Sequence, residues 1–309
     1  MIEVQDLTKY YGTKLALDKV SFTVRKGEVL GFLGPNGAGK STAMKIITCF
    51  LSPTEGSVKV DGFDVFDDSL EVRKRIGYLP EIPPLYLDMT VKHYLEFAAK
   101  IKGVGSKQLR ESVDTVVDKC SLSKYYNSAC KALSKGYRQR VGIAQAMVHN
   151  PQVLILDEPT IGLDPIQIVE IRELIKSFGG EHTVVLSTHI LPEVEMTCER
   201  VIIINDGHVI AEDTTSNLKS NLPETEQILL EVRGKTTTLA TSLNKIECVK
   251  EIREQMGVED MISYNIEADG TGDIRPEIAR TVLAENLDLL QIRNKSMSLE
   301  DIFIKVTMN

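Results

Sequence analysis

Nine consecutive residues carry the strongest chemical signal in the chain. Gly34-Pro35-Asn36-Gly37-Ala38-Gly39-Lys40-Ser41-Thr42 satisfies G-x-x-x-x-G-K-[ST] and lies between strand-like alternation and helical spacing. That spacing suits a triphosphate. Glycines let successive backbone N–H groups wrap the α- and β-phosphates, and the helix N-terminus adds its positive dipole end. Lys40 would reach the β- and γ-phosphates, Ser41 would ligate Mg²⁺, and Thr42 would donate toward the α-phosphate region. Composition alone yields this pattern in about one chain in a hundred of this length. A dinucleotide fingerprint is disfavoured, because the glycines run G-x-x-G-x-G rather than G-x-G-x-x-G.

A second segment supplies the acids. Val153-Leu154-Ile155-Leu156-Asp157-Glu158 is an apolar strand ending in carboxylates, which sets Asp157 at the sheet edge where ligands bind in open α/β folds. Asp157 can hold the Mg²⁺ shell while Glu158 orients a water toward the γ-phosphate. Two further pieces follow the same order. Leu133-Ser134-Lys135-Gly136-Tyr137 opens a helix, with Ser134 as a natural N-cap and Gly136 permitting close backbone approach. Thr188-His189 follows another buried strand.

These pieces need a framework, and the pattern supplies one. Alternation at 20–24 and 28–33 reads as strands. In the helix that follows, Ala43, Ile46, Ile47, Phe50 and Leu51 fall on one face of a 3.6-residue period. Residues 57–60 and 76–79 read as strands around a charged helical stretch at 70–75. Residues 90–102, 107–119 and 135–149 read as helices. Short runs apolar on both faces at 153–156, 183–186 and 201–204 suit a buried parallel sheet. Residues 1–214 are therefore expected to form an α/β domain with a helical subdomain at about 81–150. Residues 215–309 are expected to form a second, smaller domain. Its order, strand 226–232, helix 236–246, strands 248–253 and 261–267, helix 276–286 and strand 287–293, is β-α-β-β-α-β, that of a ferredoxin-like α+β unit. A last helix is expected at 298–307, where Ser298 and Asp301 have capping-box spacing and Leu299, Ile302, Phe303 and Val306 form one stripe.

Composition narrows the function classes. The 309 residues suit two domains, and a net charge of −8 argues against a nucleic-acid partner. The tail, with 11 basic and 16 acidic residues, is poorly suited to anionic headgroups. No apolar run approaches the ~20 residues of a membrane-spanning helix, and the N-terminus lacks a signal-peptide pattern. Five widely spaced cysteines without a C-x-x-C pair read as reduced intracellular thiols. A cytoplasmic location is expected.

The whole series resembles the ATP-binding subunits of ABC transporters, with six motifs in family order across residues 1–214. The resemblance implies a P-loop NTPase fold with ATP and Mg²⁺ as ligands. It implies that Tyr11 stacks on adenine, with Tyr10 as the alternative. Ser134 and Gly136 would belong to the signature loop that covers ATP bound by a second copy. Asp164 in Gly162-Leu163-Asp164-Pro165 would link the two sites, and His189 would be the switch histidine on the γ-phosphate. Three positions depart from the family. Lys135 and Tyr137 replace the first glycine and the glutamine of the signature, and Glu81 stands where the family carries a glutamine sensing Mg²⁺ and the membrane partner. A carboxylate can also ligate Mg²⁺; the alternative is a solvated Glu81. The roughly 95-residue tail, ending in Ser298-Leu299-Glu300-Asp301-Ile302-Phe303, resembles exporter subunits of the drug-efflux and gliding-motility type. This implies an ATPase that drives an integral membrane subunit from the inner face of the membrane and is dimeric when ATP-bound. A soluble ABC-type ATPase acting on ribosome or DNA is the rival, and a small-molecule-sensing tail is a third reading.

Overall fold

Two long strands, β1 (Ile2–Tyr11) and β2 (Lys14–Val24), pair antiparallel as the opening hairpin. Their alternation buries Ile2, Val4 and Leu7 on one side, against Leu17, Val20 and Phe22, and leaves polar positions outside. The structure, a computed structural model, describes residues 1–220, 225–234, 238–256, 261–269 and 273–295. It divides into two compact units, Met1–Thr215 and Ser216–Asn309.

The first unit continues with β3 (Val29–Leu33), α1 (Lys40–Ile47), β4 (Glu55–Val60), β5 (Phe63–Asp64), α2 (Ser69–Arg75) and β6 (Ile76–Leu79). Three helices follow, α3 (Val91–Ile101), α4 (Leu109–Lys119) and α5 (Lys135–Met147). Then come β7 (Val153–Asp157), α6 (Pro165–Lys176), β8 (Thr183–Thr188), α7 (Leu191–Thr197), β9 (Arg200–Asn205) and β10 (His208–Thr214). One sheet has the order β10-β9-β3-β8-β7-β6, parallel except at β10. β3, β7 and β8 are buried along their whole length, as continuous apolar runs in a parallel sheet should be. A second sheet, β2-β1-β4-β5, is antiparallel. The strands expected at 20–24 and 57–60 fall in this sheet, as parts of β2 and β4; the sequence reading did not assign them to a sheet separate from the parallel one.

Helix starts follow local chemistry. Thr90 accepts from His93 N–H at 3.2 Å at α3, and Ser134 accepts from Tyr137 N–H at α5. Asp164 caps α6 through Gln167 N–H at 2.9 Å, with Pro165 at its first position. One expected face is corrected. α1 stops at Ile47, Thr48 caps it, and Cys49 has φ +59. Phe50 therefore leaves the stripe and is 73% exposed, while Leu51 still packs against the core, and the N–H groups of Phe50 and Leu51 return to Lys45 O.

α8 (Thr215–Ser220) begins at the boundary, and the second unit holds β11 (Thr225–Arg233), α9 (Leu239–Leu243), β12 (Val249–Met256), β13 (Met261–Asp269), α10 (Arg275–Ala284) and β14 (Asp288–Lys295). Its four strands are all antiparallel in the order β12-β13-β11-β14. Period-two alternation places Ile228, Leu230, Val232, Ile262, Tyr264 and Ile266 in one core with Leu239, Ile278 and Val282 of the helices. The expected helix at 298–307, with Ser298 and Phe303, lies outside the described residues.

Candidate active site

Three neighbouring strand exits build the site. β3, β8 and β7 are adjacent and parallel, with Leu33 opposite Thr188 and Asp157 opposite Ser187. Their C-terminal ends therefore deliver the glycine-rich loop, His189 and the Asp157-Glu158 pair to one edge. Gly34 N–H donates to Thr188 O at 3.3 Å and pins the loop to the exit of β8. Gly39 has φ +105, and a Cβ there would stand 2.7 Å from Ala16 O. Only glycine suits that position, and its close approach seats the loop beside the β1–β2 hairpin.

The charged groups converge within hydrogen-bonding range. Lys40 is 6% exposed; its Nζ donates to Gly34 O at 2.8 Å and Pro35 O at 3.2 Å, and lies 3.4 Å from Glu158 Oε1. The other Glu158 oxygen, Oε2, meets His189 Nδ1 at 2.9 Å. Ser41 Oγ donates to Asp157 Oδ1 at 3.2 Å, across 116 positions of sequence. Ser41 and Asp157 form a pair of hard oxygen donors, which fits Mg²⁺. Among the described residues no cluster of three or more His, Cys, Asp or Glu could hold a metal.

Ser187 is the residue that sequence reasoning missed. Its hydroxyl donates to Asp157 Oδ1 and accepts from Glu158 N–H at 3.1 Å. Glu158 has φ +48, a left-handed backbone that costs about 1–3 kcal/mol and needs support. Ser187 gives that support through both its hydroxyl and its carbonyl. The available signal was a hydroxyl directly after the apolar Val184–Leu186 run of β8.

The remaining candidates fall elsewhere. Asn36 and Gly37 are exposed in the loop, Ala38 is buried, and Thr42 is half-buried on α1. Tyr10 and Tyr11 are both exposed at the end of β1, and Lys9 Nζ lies 5.7 Å from the Tyr11 ring centre. Glu81 is exposed after β6. Ser134 and Gly136 open α5, and no hydrogen bond found among the described residues joins them to the Lys40–Glu158–His189 cluster. The substituted signature positions have local partners. The Tyr137 ring packs on Tyr125 with centroids 4.1 Å apart, so it faces the helical subdomain. Lys135 Nζ lies 2.2 Å from where a Cβ on Gly162 would be, and Gly136 similarly abuts the Gln167 side chain. The signature loop thus packs on the segment that carries Asp164.

A glycine-rich phosphate loop, a metal-type Ser–Asp pair and a buried Glu beside a His define a P-loop ATPase. The family model described as ABC transporter matches residues 17–161. The bacitracin transport ATP-binding protein BcrA of Bacillus licheniformis is 33% identical over 314 residues, covering 99% of this chain and 97% of that protein. The linearmycin resistance ATP-binding protein LnrL of Bacillus subtilis (strain 168) is 29% identical, covering 99% and 98%. A solved dimeric, post-hydrolysis ATP-binding cassette holding ADP and Pi aligns with a TM-score of 0.64 at 31% identity, over 69% of this chain and 98% of that one. The chain belongs to the ABC transporter family, as an ATP-binding and ATP-hydrolysing subunit.

Proposed function

We propose that this subunit powers an exporter, working in the cytoplasm against the inner face of the cell membrane through an integral membrane subunit. The observation that carries the ATPase part of the reading is the convergence of Lys40, Ser41, Asp157, Glu158 and His189 on one sheet edge. Lys40 and the backbone of Gly34 to Gly39 bind the phosphates, Thr42 serves the α-phosphate region, and Tyr11 stacks on adenine. Glu158 takes the proton of the attacking water. His189 holds Glu158 and contacts the γ-phosphate. Mg²⁺ would be held by Ser41 and Asp157, with Glu81 as a further oxygen donor, and would neutralise charge on the transferring phosphoryl group.

A second copy completes each site with Ser134 and Gly136, and Asp164 couples the two. The exposed Ser134, without a hydrogen bond to its own chain's cluster, supports that sharing, as does the dimeric cassette among the similar structures; Gly136 is buried beside Gln167. Export is supported by the names of the relatives, one for bacitracin transport and one for linearmycin resistance.

A groove of about 740 Å³ supports the membrane partner. Phe50, Leu70 and Ile101 line it and are largely exposed, and Pro80 and Pro84 bring in the segment that holds Glu81. Arg73, Lys74 and Lys102 make it cationic, and burial pulls Lys102 below the usual lysine range. An amphipathic segment bearing a carboxylate fits this lining. Phe50→Asp is expected to leave the thermal midpoint and the isolated subunit's turnover unchanged while reducing recovery of the membrane subunit in co-purification. Equal recovery with this variant would remove the groove from the interface.

The tail is read as a ferredoxin-like domain beginning near residue 215, supported by its β-α-β-β-α-β order and the strand order β12-β13-β11-β14. Each unit has its own core, so a chain ending at Thr215 is expected to fold and to bind MgATP with the full chain's affinity. An insoluble product, or one without ATP binding, would refute that independence. The export reading is tested with inside-out vesicles holding the co-purified membrane subunit, where MgATP should drive cargo into the lumen. Recovery of a ribosome in place of a membrane protein would overturn it.

A further inference from the structure

Behind the Glu158–His189 pair lies a second carboxylate that the hydrolysis scheme does not use. Glu193, on α7, is 1% exposed. Its Oε2 accepts from Thr188 Oγ1 at 2.8 Å and its Oε1 from Thr160 Oγ1 at 2.5 Å. Arg172 Nη2 on α6 stands 3.7 Å from Oε1. A carboxylate so deeply buried is tolerated only when paired and hydrogen-bonded; here both oxygens accept a hydrogen bond and Oε1 also faces Arg172.

The two hydroxyls belong to different strand exits. Thr160 stands two residues beyond Glu158, after β7, and Thr188 ends β8 immediately before His189. Both threonines are buried. One carboxylate therefore spans the gap between the two exits, with one oxygen on each. Thr188 Oγ1 also accepts from Ile190 N–H at 3.0 Å, so a single hydroxyl fixes the backbone on both sides of His189. The side chains carried by these exits meet at the 2.9 Å contact between His189 Nδ1 and Glu158 Oε2.

We infer that Glu193 is a positioning residue for ATP hydrolysis, clamping the exits of β7 and β8 through Thr160 and Thr188 so that Glu158 and His189 hold one register. It acts through those hydroxyls and the backbone they fix. The inference rests on the roles proposed above for Glu158 and His189. Its physical basis is the steep dependence of rate on geometry: a misplacement of about 1 Å can lower a rate about 10²-fold.

The test uses the full chain and MgATP, with Glu193→Gln, Thr188→Val and Thr188→Ser compared by kcat, KM and thermal midpoint. Glu193→Gln and Thr188→Val are expected to lower kcat by about 10- to 10²-fold with little change in KM. Thr188→Ser keeps the hydroxyl and should restore turnover. In a His189→Ala background, Glu193→Gln should add little, because the group it positions is gone. If Glu193→Gln does not fold, the Val and Ser variants at Thr188 carry the test. A lowered midpoint with unchanged kcat in Glu193→Gln and Thr188→Val, beside an inactive Glu158→Gln, would reduce Glu193 to a packing role and overturn the clamp. Normal turnover in Glu158→Gln and His189→Ala would instead overturn the site reading on which the clamp stands.

Discussion

Glu158→Gln is expected to lower ATP turnover by about 10³-fold, within the range that a positioned general base supplies. The amide keeps the size of the carboxylate and can still face Lys40 Nζ, 3.4 Å from Oε1, and His189 Nδ1, 2.9 Å from Oε2. It cannot take a proton from water. MgATP binding should therefore persist while hydrolysis stops, and closed dimers should accumulate. Size-exclusion chromatography at saturating MgATP, run beside a phosphate-release assay, reads both effects. Only monomer under those conditions would contradict the shared site. Lost ATP binding would instead assign Glu158 to the metal shell.

Lys40→Ala is expected to weaken MgATP binding by about 10²-fold or more. Hydrogen bonds to charged groups contribute about 1.5–3 kcal/mol each, and 1.4 kcal/mol is a tenfold change in affinity. Lys40 supplies the ammonium seated in the loop, and its Nζ is already held by Gly34 O and Pro35 O. Removing it also takes away the ammonium 3.4 Å from buried Glu158 Oε1. The variant should therefore be checked by thermal midpoint before its affinity is compared with the parent chain. A folded variant with near-parental affinity and hydrolysis would contradict the phosphate-loop assignment.

Much of this site was legible because its parts are local. Gly34 to Thr42 is a contiguous loop, and the run ending in Asp157-Glu158 states its own strand and edge. Ser134 announces a helix start by residue type and caps α5 in the structure, whereas the capping of α6 by Asp164 emerged only from the structure. Local signals also misled. The apolar stripe extended through Phe50, yet a left-handed Cys49 ended the helix before it. Spacing alone does not report where the backbone leaves helical angles.

Other features depended on which strands are neighbours. Ser187 reads as one more residue of β8 until the parallel register sets it opposite Asp157. Glu193 drew no reading from the sequence; the packing of α7 brings it to Thr160 and Thr188, 33 and 5 residues away. The signature substitutions Lys135 and Tyr137 gained partners, Gly162 and Tyr125, only through packing of the helical subdomain.

The sequence by itself supplied the residues proposed for the chemistry: a glycine-rich loop with its lysine, a hydroxyl and two acids, a histidine, and the apolar runs that carry them. Those follow from residue type and short spacing, which act within a turn of helix or a few strand residues. Only the tertiary structure decided that β8 lies between β3 and β7. That order joins Ser41 to Asp157 across 116 residues and Glu158 to His189 across 31. Strand order is settled by burying apolar faces against one another throughout the sheet, and no local window of sequence contains that balance.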